Sequence, residues 1–172
     1  MQSSKVVEAP NGETFTLFYT PRSPFSNFHR CERLCIDGVD FFCVEQYYQM
    51  KKAEHFGDHE MARRILESSN ASDIKQYGRE IQGFNNREWH KHSRYVVSVG
   101  NIHKYMQNPS LREALLRTKG TLVECSPHDR YWGIARALAD PEAGDRSLWL
   151  GKNQHGAILT ELREYFQLLS PK

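Results

Sequence analysis

The chain has 172 residues, of which 39% are hydrophobic and 26% are charged. These proportions are typical of a globular protein and exclude a wholly disordered, collagen-like or coiled-coil chain. Lys and Arg number 23 against 21 Asp and Glu, so the chain lacks the strong basic excess on which nonspecific nucleic acid binding depends.

No segment is apolar enough for a membrane span or a secretory signal. Uncharged apolar runs reach only a few residues, as at 95–99, whereas a spanning helix needs about twenty. Residues 1–11 lack the apolar centre of a signal peptide. We therefore expect a protein that is cytoplasmic and not associated with a membrane.

The four cysteines do not form a recognisable metal or disulfide pattern. They stand at positions 31, 35, 43 and 125, with no CxxC pair. A zinc site that adds His29 to these thiols lacks the spacings of closed zinc sites. We predict free thiols and no metal site.

Strand patterns come first along the chain. Residues 14–20 are rich in strand-forming residues, and two apolar runs flank Asp37-Gly38, a pair that favours a tight β-hairpin. Residues 21–29 contain two prolines and predict a loop. Residues 1–11 are expected to be flexible.

Helical patterns dominate after residue 44. Asp58, Ser72 and Asn86 are candidate residues for starting helices. The other predicted elements are helices at 44–56, 111–117 and 159–169 and a buried strand at 121–125. Strands followed by helices favour an α+β fold. No linker or repeat divides the sequence, so we predict one helix-rich domain over 1–172, with a small N-terminal antiparallel sheet or hairpin and a core at about 14–169.

The common motifs for dinucleotide binding, P-loop phosphoryl transfer, serine hydrolysis and zinc proteolysis are absent. Four clusters of polar and aromatic residues remain, at 24–28, 45–52, 126–133 and 151–156. In the second cluster, helical spacing places Glu45, Tyr48, Gln49 and Lys52 on one face. In the fourth, a glycine-flanked turn leads into the last helix, whose N-terminus could bind phosphate through free backbone N–H groups.

Each cluster also has a purely structural interpretation. The Glu45 face could be a solvated surface with a modest ion pair. Asn27 could close a turn by a side-chain hydrogen bond, and Asp129 could form an Asx turn or cap a helix. Taken one at a time, these interpretations are at least as good as the functional ones.

Together and in this order, the clusters resemble the NADAR family, also called the YbiA-like or riboflavin-associated N-glycosidase family. The resemblance covers about residues 15–163. It is carried by Phe25-Ser26-Asn27-Phe28, Glu45-Gln46-Tyr47-Tyr48-Gln49 with Lys52, Trp89, Asp129-Arg130-Tyr131-Trp132-Gly133, and Gly151-Lys152-Asn153 with Gly156. Two positions depart from the family pattern: Gln46 replaces a common histidine, and His155 replaces a common leucine.

The resemblance implies a YbiA-like α+β domain that hydrolyses a ribosyl C–N bond. The implied substrate is either an ADP-ribosylated guanine base, including one in nucleic acid, or a phosphorylated early intermediate of riboflavin biosynthesis. The implied catalytic residues are Glu45, Asp129 and Lys52. The implied substrate-binding residues are Phe25, Ser26, Asn27, Phe28, Tyr48, Gln49, Trp89, Trp132, Gly133 and Asn153. No cofactor, metal or obligate protein partner is implied.

These residue types suit the chemistry. A ribosyl C–N bond breaks through an oxocarbenium-like cation that a carboxylate stabilises. The departing base needs a proton or hydrogen bonds, and aromatic rings can stack on it. Lys52 could hold a phosphate or could attack the anomeric carbon as an amine. The alternative function is a module that binds ADP-ribose or a related nucleotide without turnover.

Overall fold

A computed structural model describes residues 3–169 of the chain. The fold is α+β, as the sequence predicts. In chain order its helices and strands are β1 (Ser4–Glu8), β2 (Thr14–Phe18), β3 (Cys35–Ile36), β4 (Val39–Asp40), α1 (Val44–His55), α2 (His59–Glu67), α3 (Ala71–Glu80), α4 (Asn86–Gln107), α5 (Pro109–Leu116), β5 (Thr121–Glu124) and α6 (Gln154–Leu169). Two short 3-10 helices, Pro141–Gly144 and Arg146–Leu148, precede α6.

The chain divides into two compact units. The first, called the sheet unit here, contains residues up to 26 and those from 110 onward; the second, the helical unit, is 27–109.

The sheet unit contains a three-stranded sheet in the order β1-β2-β5. Strands β1 and β2 are antiparallel, from Ser4 opposite Phe18 to Glu8 opposite Thr14. The expected flexibility of residues 1–11 is therefore wrong for 4–8, because pairing in register supplies hydrogen bonds that this polar segment could not gain alone. Residues 1 and 2, also expected to be flexible, lie outside the described residues.

Strand β5 is parallel to β2 and joins the core of the sheet unit. Phe15 lies opposite Thr121, and Phe18 lies opposite Glu124. A buried apolar cluster covers the sheet; it consists of Ala9, Phe15, Leu17, Val123, Cys125, Ile134 and Ala143. Helix α6 packs against β5, so the start of α6 has a fixed place relative to the strand.

In the helical unit, α1 packs against α2, α3 and α4. Gly100 of α4 faces the side chains of Val44 and Tyr47, where a β-carbon would be too close to Val44. The β3–β4 hairpin is confirmed: Ile36 pairs with Val39, and Asp37 and Gly38 take φ values of 52° and 80°. A two-residue turn with both φ angles positive matches the twist of the strands.

Side-chain hydrogen bonds at the helix N-termini show which of the predicted N-cap residues are correct. Asp58 accepts a hydrogen bond from the Met61 amide, as predicted. Ser72 is not a cap, since the side chain of Asn70 accepts hydrogen bonds from the amides of Ser72 and Asp73. Asn85, one residue before the predicted start, caps α4.

Among residues 3–169, the four cysteine thiols are free, in agreement with the sequence prediction. Within the same range, no helix combines the length and apolar character that crossing a membrane requires.

Candidate active site

The predicted face of α1 is present in the helical unit, and a hydrogen bond links two of its polar residues. Gln49 Nε2 donates to Glu45 Oε1 at 2.7 Å, across one helical turn. Lys52, one turn further along, interacts electrostatically with the Glu45 carboxylate. A carboxylate, a carboxamide and an amine therefore occupy adjacent turns of α1.

The backbone of Glu45 is held by the loop before the helix. Its N–H donates to the Asn27 carbonyl at 2.9 Å, and Cys43, the N-cap residue, makes no side-chain cap. First-turn N–H groups have no acceptor within the helix, so the Asn27 carbonyl supplies one. Asn101 of α4 in turn donates from Nδ2 to Asn27 Oδ1 at 3.0 Å. The loop is thereby tied to both α1 and α4.

Lys52 is a buried amine, with only 8% of the residue exposed. Burial lowers the pKa of its ammonium group to about 8, and the neighbouring Glu45 carboxylate partly opposes that decrease. The Nζ atom lies 4.9 Å from the ring centre of Phe84, a distance at which an aromatic face attracts a cation. Lys52 can therefore exist in both protonation states near neutral pH.

Tyr48 and Trp89 form a buried aromatic pair in the same unit. Trp89 Nε1 donates to the Tyr48 hydroxyl at 2.7 Å, and the two ring centres are 5.4 Å apart. Trp89 is 3% exposed. The hydrogen bond orients the phenol of Tyr48, while the predicted contacts of both residues with substrate stay predictions.

Gln49 combines one satisfied and one unsatisfied polar atom. Its Nε2 binds Glu45, whereas within residues 3–169 its buried Oε1 accepts no hydrogen bond from the protein. The carboxamide lies against Gly78 of α3, where any β-carbon would overlap it. A side chain at position 78 would displace the group that orients Glu45.

Asp129 belongs to the sheet unit and organises its own loop. Its Oδ1 accepts hydrogen bonds from the backbone N–H groups of Tyr131 at 2.8 Å and Trp132 at 2.7 Å. This is the turn-closing role that the sequence offered as an alternative. The rings of Tyr131 and Trp132 meet edge to face at 4.9 Å, and Trp132 is partly exposed. The predicted catalytic role of Asp129 stays a prediction.

Asn153, predicted to bind substrate, joins two segments of the sheet unit. Its Oδ1 accepts from the Glu124 amide at 3.0 Å, and its Nδ2 donates to the Leu122 carbonyl at 2.9 Å. The backbone at Asn153 is left-handed, with φ of 52°. The carboxamide of Asn153 thus hydrogen-bonds to one N–H and one C=O group of β5, as the backbone of a neighbouring strand would.

The predicted phosphate site at the start of α6 is wrong, because its backbone donors are occupied. The N–H groups of residues 152–155 donate to carbonyls of the 130–133 loop at 2.9–3.1 Å. Gly151 allows this close approach, since a β-carbon there would overlap the Gly133 carbonyl oxygen. The helix itself begins at Gln154 rather than 159.

The four residues of the first cluster that are predicted to bind substrate are divided between the units. Phe25 and Ser26 are buried in the sheet unit, where Phe25 packs edge-on against Phe18 at 5.7 Å. Asn27 and Phe28 begin the helical unit and are partly exposed.

The sequence did not identify several residues that shape these groups. Asn101 and Ser93 lie on the buried face of α4, and each has a buried oxygen without a partner among the described residues. Both follow Trp89 at helical spacing, so polar residues within an otherwise apolar stripe were the available signal. In the sheet unit, Glu124 Oε2 lies 3.2 Å from Nδ1 of the fully buried His155.

The departure from the family pattern at Gln46 has a structural explanation. Gln46 Nε2 donates to three carbonyls at the C-terminal end of α2, those of Ile65, Leu66 and Ser68, at 3.0–3.1 Å. Its Oε1 accepts from the Phe42 amide. The residue after Glu45 therefore caps α2 and is separate from the polar face of Glu45, Gln49 and Lys52.

Comparison with known proteins identifies the family. The NADAR domain family matches residues 14–167. The chain is 38% identical over 127 residues to N-glycosidase R617 of Acanthamoeba polyphaga mimivirus, covering 73% of this chain and 75% of that one. It is 28% identical to the riboflavin biosynthesis protein VVA0006 of Vibrio vulnificus, over 98% of this chain but 41% of that protein.

A solved structure agrees with these sequence similarities. The NMR structure of the Escherichia coli protein YbiA superimposes with a TM-score of 0.72 at 26% identity, covering 90% of this chain and 86% of that one. The curated E. coli protein carries the name N-glycosidase YbiA and is 27% identical over 155 residues, which is 88% of each chain. The chain belongs to the NADAR domain family, and the names of these relatives support an N-glycosidase activity for it.

Proposed function

We propose that this chain hydrolyses the C–N bond between a phosphorylated ribosyl group and a base or amine. The observation that carries the proposal is that Glu45 and the buried Lys52 lie on one face of α1 and interact electrostatically. A carboxylate suits a ribosyl cation, and an ammonium group suits a phosphate. The two substrate classes are ADP-ribosylated guanine and the ribosylated aminopyrimidine phosphates of early riboflavin biosynthesis.

In the proposed reaction, water adds to the anomeric carbon as the bond to the base nitrogen breaks. The bonding electrons leave with the nitrogen, which gains a proton, and the water loses one. Glu45 stabilises the cationic transition state and orients or deprotonates the water. The hydrogen bond from Gln49 fixes the direction of the carboxylate, which limits the rearrangement that the transition state requires.

Lys52 has two roles under this proposal, of which we favour the electrostatic one. As a cation, it holds a phosphate or a ribose hydroxyl. As a neutral amine, it could bond to the anomeric carbon and displace the base, after which ring opening would give an imine that water hydrolyses. The pKa of about 8 is compatible with both roles, so trapping with borohydride is needed to separate them.

The other predicted residues keep their predicted roles in this proposal. Trp132 stacks on the base, and Asp129 sets the loop that carries it and donates or receives a proton. The remaining substrate contacts are assigned to Phe25, Ser26, Asn27, Phe28, Tyr48, Gln49, Trp89, Gly133 and Asn153. For Asn153, the two side-chain hydrogen bonds to the backbone of β5 favour a role in shaping the site.

The experiment that tests the function is a comparison of substrates. Purified protein is incubated with ADP-ribosyl-guanosine and, separately, with the ribosylaminopyrimidine phosphates, and released base is measured by liquid chromatography. Release from one class identifies the substrate. Borohydride added during turnover tests for modification of Lys52 by mass spectrometry.

Two variants on the same helix serve as the matched pair for this assay. Glu45→Gln should lose turnover, whereas Glu54→Gln, an exposed carboxylate paired with Lys51 at 2.7 Å, should keep it. Tight nucleotide binding by calorimetry without turnover of either class would contradict the proposal and favour the binding module.

A further inference from the structure

Three side chains of the helical unit form a cluster that the N-glycosidase chemistry does not use. They are His55 at the end of α1 and Glu88 and His92 near the start of α4. Each offers one donor atom, and these atoms all lie within 4.8 Å of one another. We propose that this cluster binds a divalent transition-metal ion of the zinc class.

The helical spacing of Glu88 and His92 brings two of the ligands together. Residues four apart face the same side of a helix, and His92 Nε2 lies 3.5 Å from Glu88 Oε1. Donor atoms around a tetrahedral zinc ion are about 3.3 Å apart at ordinary bond lengths. This pair is therefore already close to the geometry of a metal site.

His55 provides the third ligand from a different helix. Its ring centre lies 4.5 Å from that of His92 and 5.6 Å from that of Trp89. The packing against the buried Trp89 places His55 beside the other two ligands. Because no two of the donor atoms are more than 4.8 Å apart, the widest separation needs to close by at most roughly 1.5 Å to reach zinc geometry. Exposed side chains can make such a movement by rotation about their χ angles.

Lys91 leaves one oxygen of Glu88 available for the ion. Its Nζ donates to Glu88 Oε2 at 2.6 Å, whereas Oε1 faces His92. Outer hydrogen bonds of this kind orient ligands and are common around protein metal sites. The Lys91 contact thus fixes the carboxylate in an orientation that suits metal binding.

The donor set determines the class of ion. Two imidazoles and one carboxylate suit zinc, cobalt, nickel or copper, while magnesium and calcium prefer oxygen ligands. Three protein ligands leave the fourth tetrahedral position for water. His55 and His92 are exposed, so the ion has direct access, and binding would tie the end of α1 to the start of α4.

Calorimetry and cobalt absorption test the site in the full chain without an affinity tag. Zinc chloride should bind at one equivalent and raise the melting temperature, because the ion stabilises the state that holds its ligands together. Cobalt should give the visible absorption of a four- or five-coordinate ion with nitrogen and oxygen ligands. His55→Ala and His92→Ala should each weaken zinc binding at least tenfold, whereas His59→Ala, an exposed histidine outside the cluster, should leave it unchanged.

Melting curves of each variant without metal show whether it is folded, so loss of binding can be separated from loss of structure. No zinc binding to the wild type would overturn the proposal. Equal binding to the His92→Ala variant would also overturn it, as would a cobalt spectrum dominated by thiolate charge transfer. Because none of these measurements depends on substrate, they stand apart from the test of N-glycosidase activity.

Discussion

Gln49 donates a 2.7 Å hydrogen bond to Glu45 while its own carboxamide rests against Gly78 of the neighbouring helix. The Gln49 carboxamide therefore orients the Glu45 carboxylate, and the backbone at Gly78 in turn restricts the carboxamide. Such a two-layer arrangement restricts the orientation of the charged group before any substrate arrives, which is the condition for electrostatic stabilisation of a transition state.

Glu45→Gln should separate catalysis from folding and binding. The change keeps the shape and removes the charge, so we expect the melting temperature to change little. Turnover should fall by roughly 10²–10⁴-fold if Glu45 acts as base or electrostatic partner. Affinity should hold or improve, because a negative charge facing anionic phosphates is lost. Single-turnover kinetics measure turnover, and calorimetry measures the melting temperature and the affinity, all on one preparation. A folded variant with wild-type turnover would mean that Glu45 is only part of a solvated surface.

The pH dependence of kcat/KM should report the protonation of Lys52. Its pKa is about 8, and kcat/KM follows the ionisation of the free enzyme. If the cation is the active form, kcat/KM should fall about tenfold per pH unit above pH 8. A rate that rises through pH 8 would instead favour the neutral amine as nucleophile.

Lys51→Met is the matched control for this pH profile. Lys51 is partly exposed and paired with Glu54, so its loss should leave the profile unchanged. Lys52→Met should remove the pH dependence together with most of the activity. Retention of both in Lys52→Met would exclude either role for the amine.

Trp132→Ala should weaken binding more than it slows the chemical step. The ring is partly exposed and carried by a loop that Asp129 closes, and stacking on a base acts in the ground state and the transition state alike. We expect KM to rise with kcat little changed. Steady-state kinetics on the substrate class that the protein turns over measure both, and a loss confined to kcat would contradict stacking.

The parts of the site that follow a single periodic pattern could be predicted from the sequence. Glu45, Gln49 and Lys52 share a helix face because helical spacing alone puts them there. The Asp37-Gly38 hairpin follows from local turn chemistry in the same way. Both depend on residues close together in the chain.

The parts that depend on distant pairing could not be predicted. Strand β1 forms because β2 supplies its hydrogen-bond partners. The backbone N–H groups at the start of α6 donate to carbonyls of a loop that lies twenty or more residues earlier in the chain. His55 lies close to Glu88 and His92 although more than thirty residues separate it from them in the chain, so no local pattern indicates this cluster.

Gly156→Ala should destabilise the sheet unit strongly. A β-carbon at this position would overlap the Leu122 carbonyl oxygen and the Asn153 carboxamide, and the backbone of β5 cannot move away without breaking its pairing with β2. Overpacking of this kind costs about 1–3 kcal/mol or more. Gly144→Ala is the control, because the nearest atom to its β-carbon would be Val7 Cγ2 at 3.6 Å. Urea denaturation measures both, and equal stabilities would show that the α6 contact is adjustable.

Lys104→Met should change how stability depends on pH. Lys104 is fully buried, and burial lowers the pKa of its ammonium group to about 8 despite the opposing influence of Cys31 and Cys43. Between pH 8 and the ordinary lysine pKa near 10.4, the unfolded chain binds a proton that the folded chain does not. The wild type therefore gains stability as pH rises through this window, and the variant lacks that gain.

From pH 8 to pH 9, the free energy of unfolding of the wild type should increase by about 1 kcal/mol relative to that of Lys104→Met. Urea denaturation of both proteins at pH 7, 8 and 9 gives this difference. Contributions from Lys52 and from the cysteine thiols, whose ordinary pKa is about 8.5, are common to both proteins and cancel. Parallel curves for the two proteins over this range would mean that Lys104 keeps an ordinary pKa in the folded state.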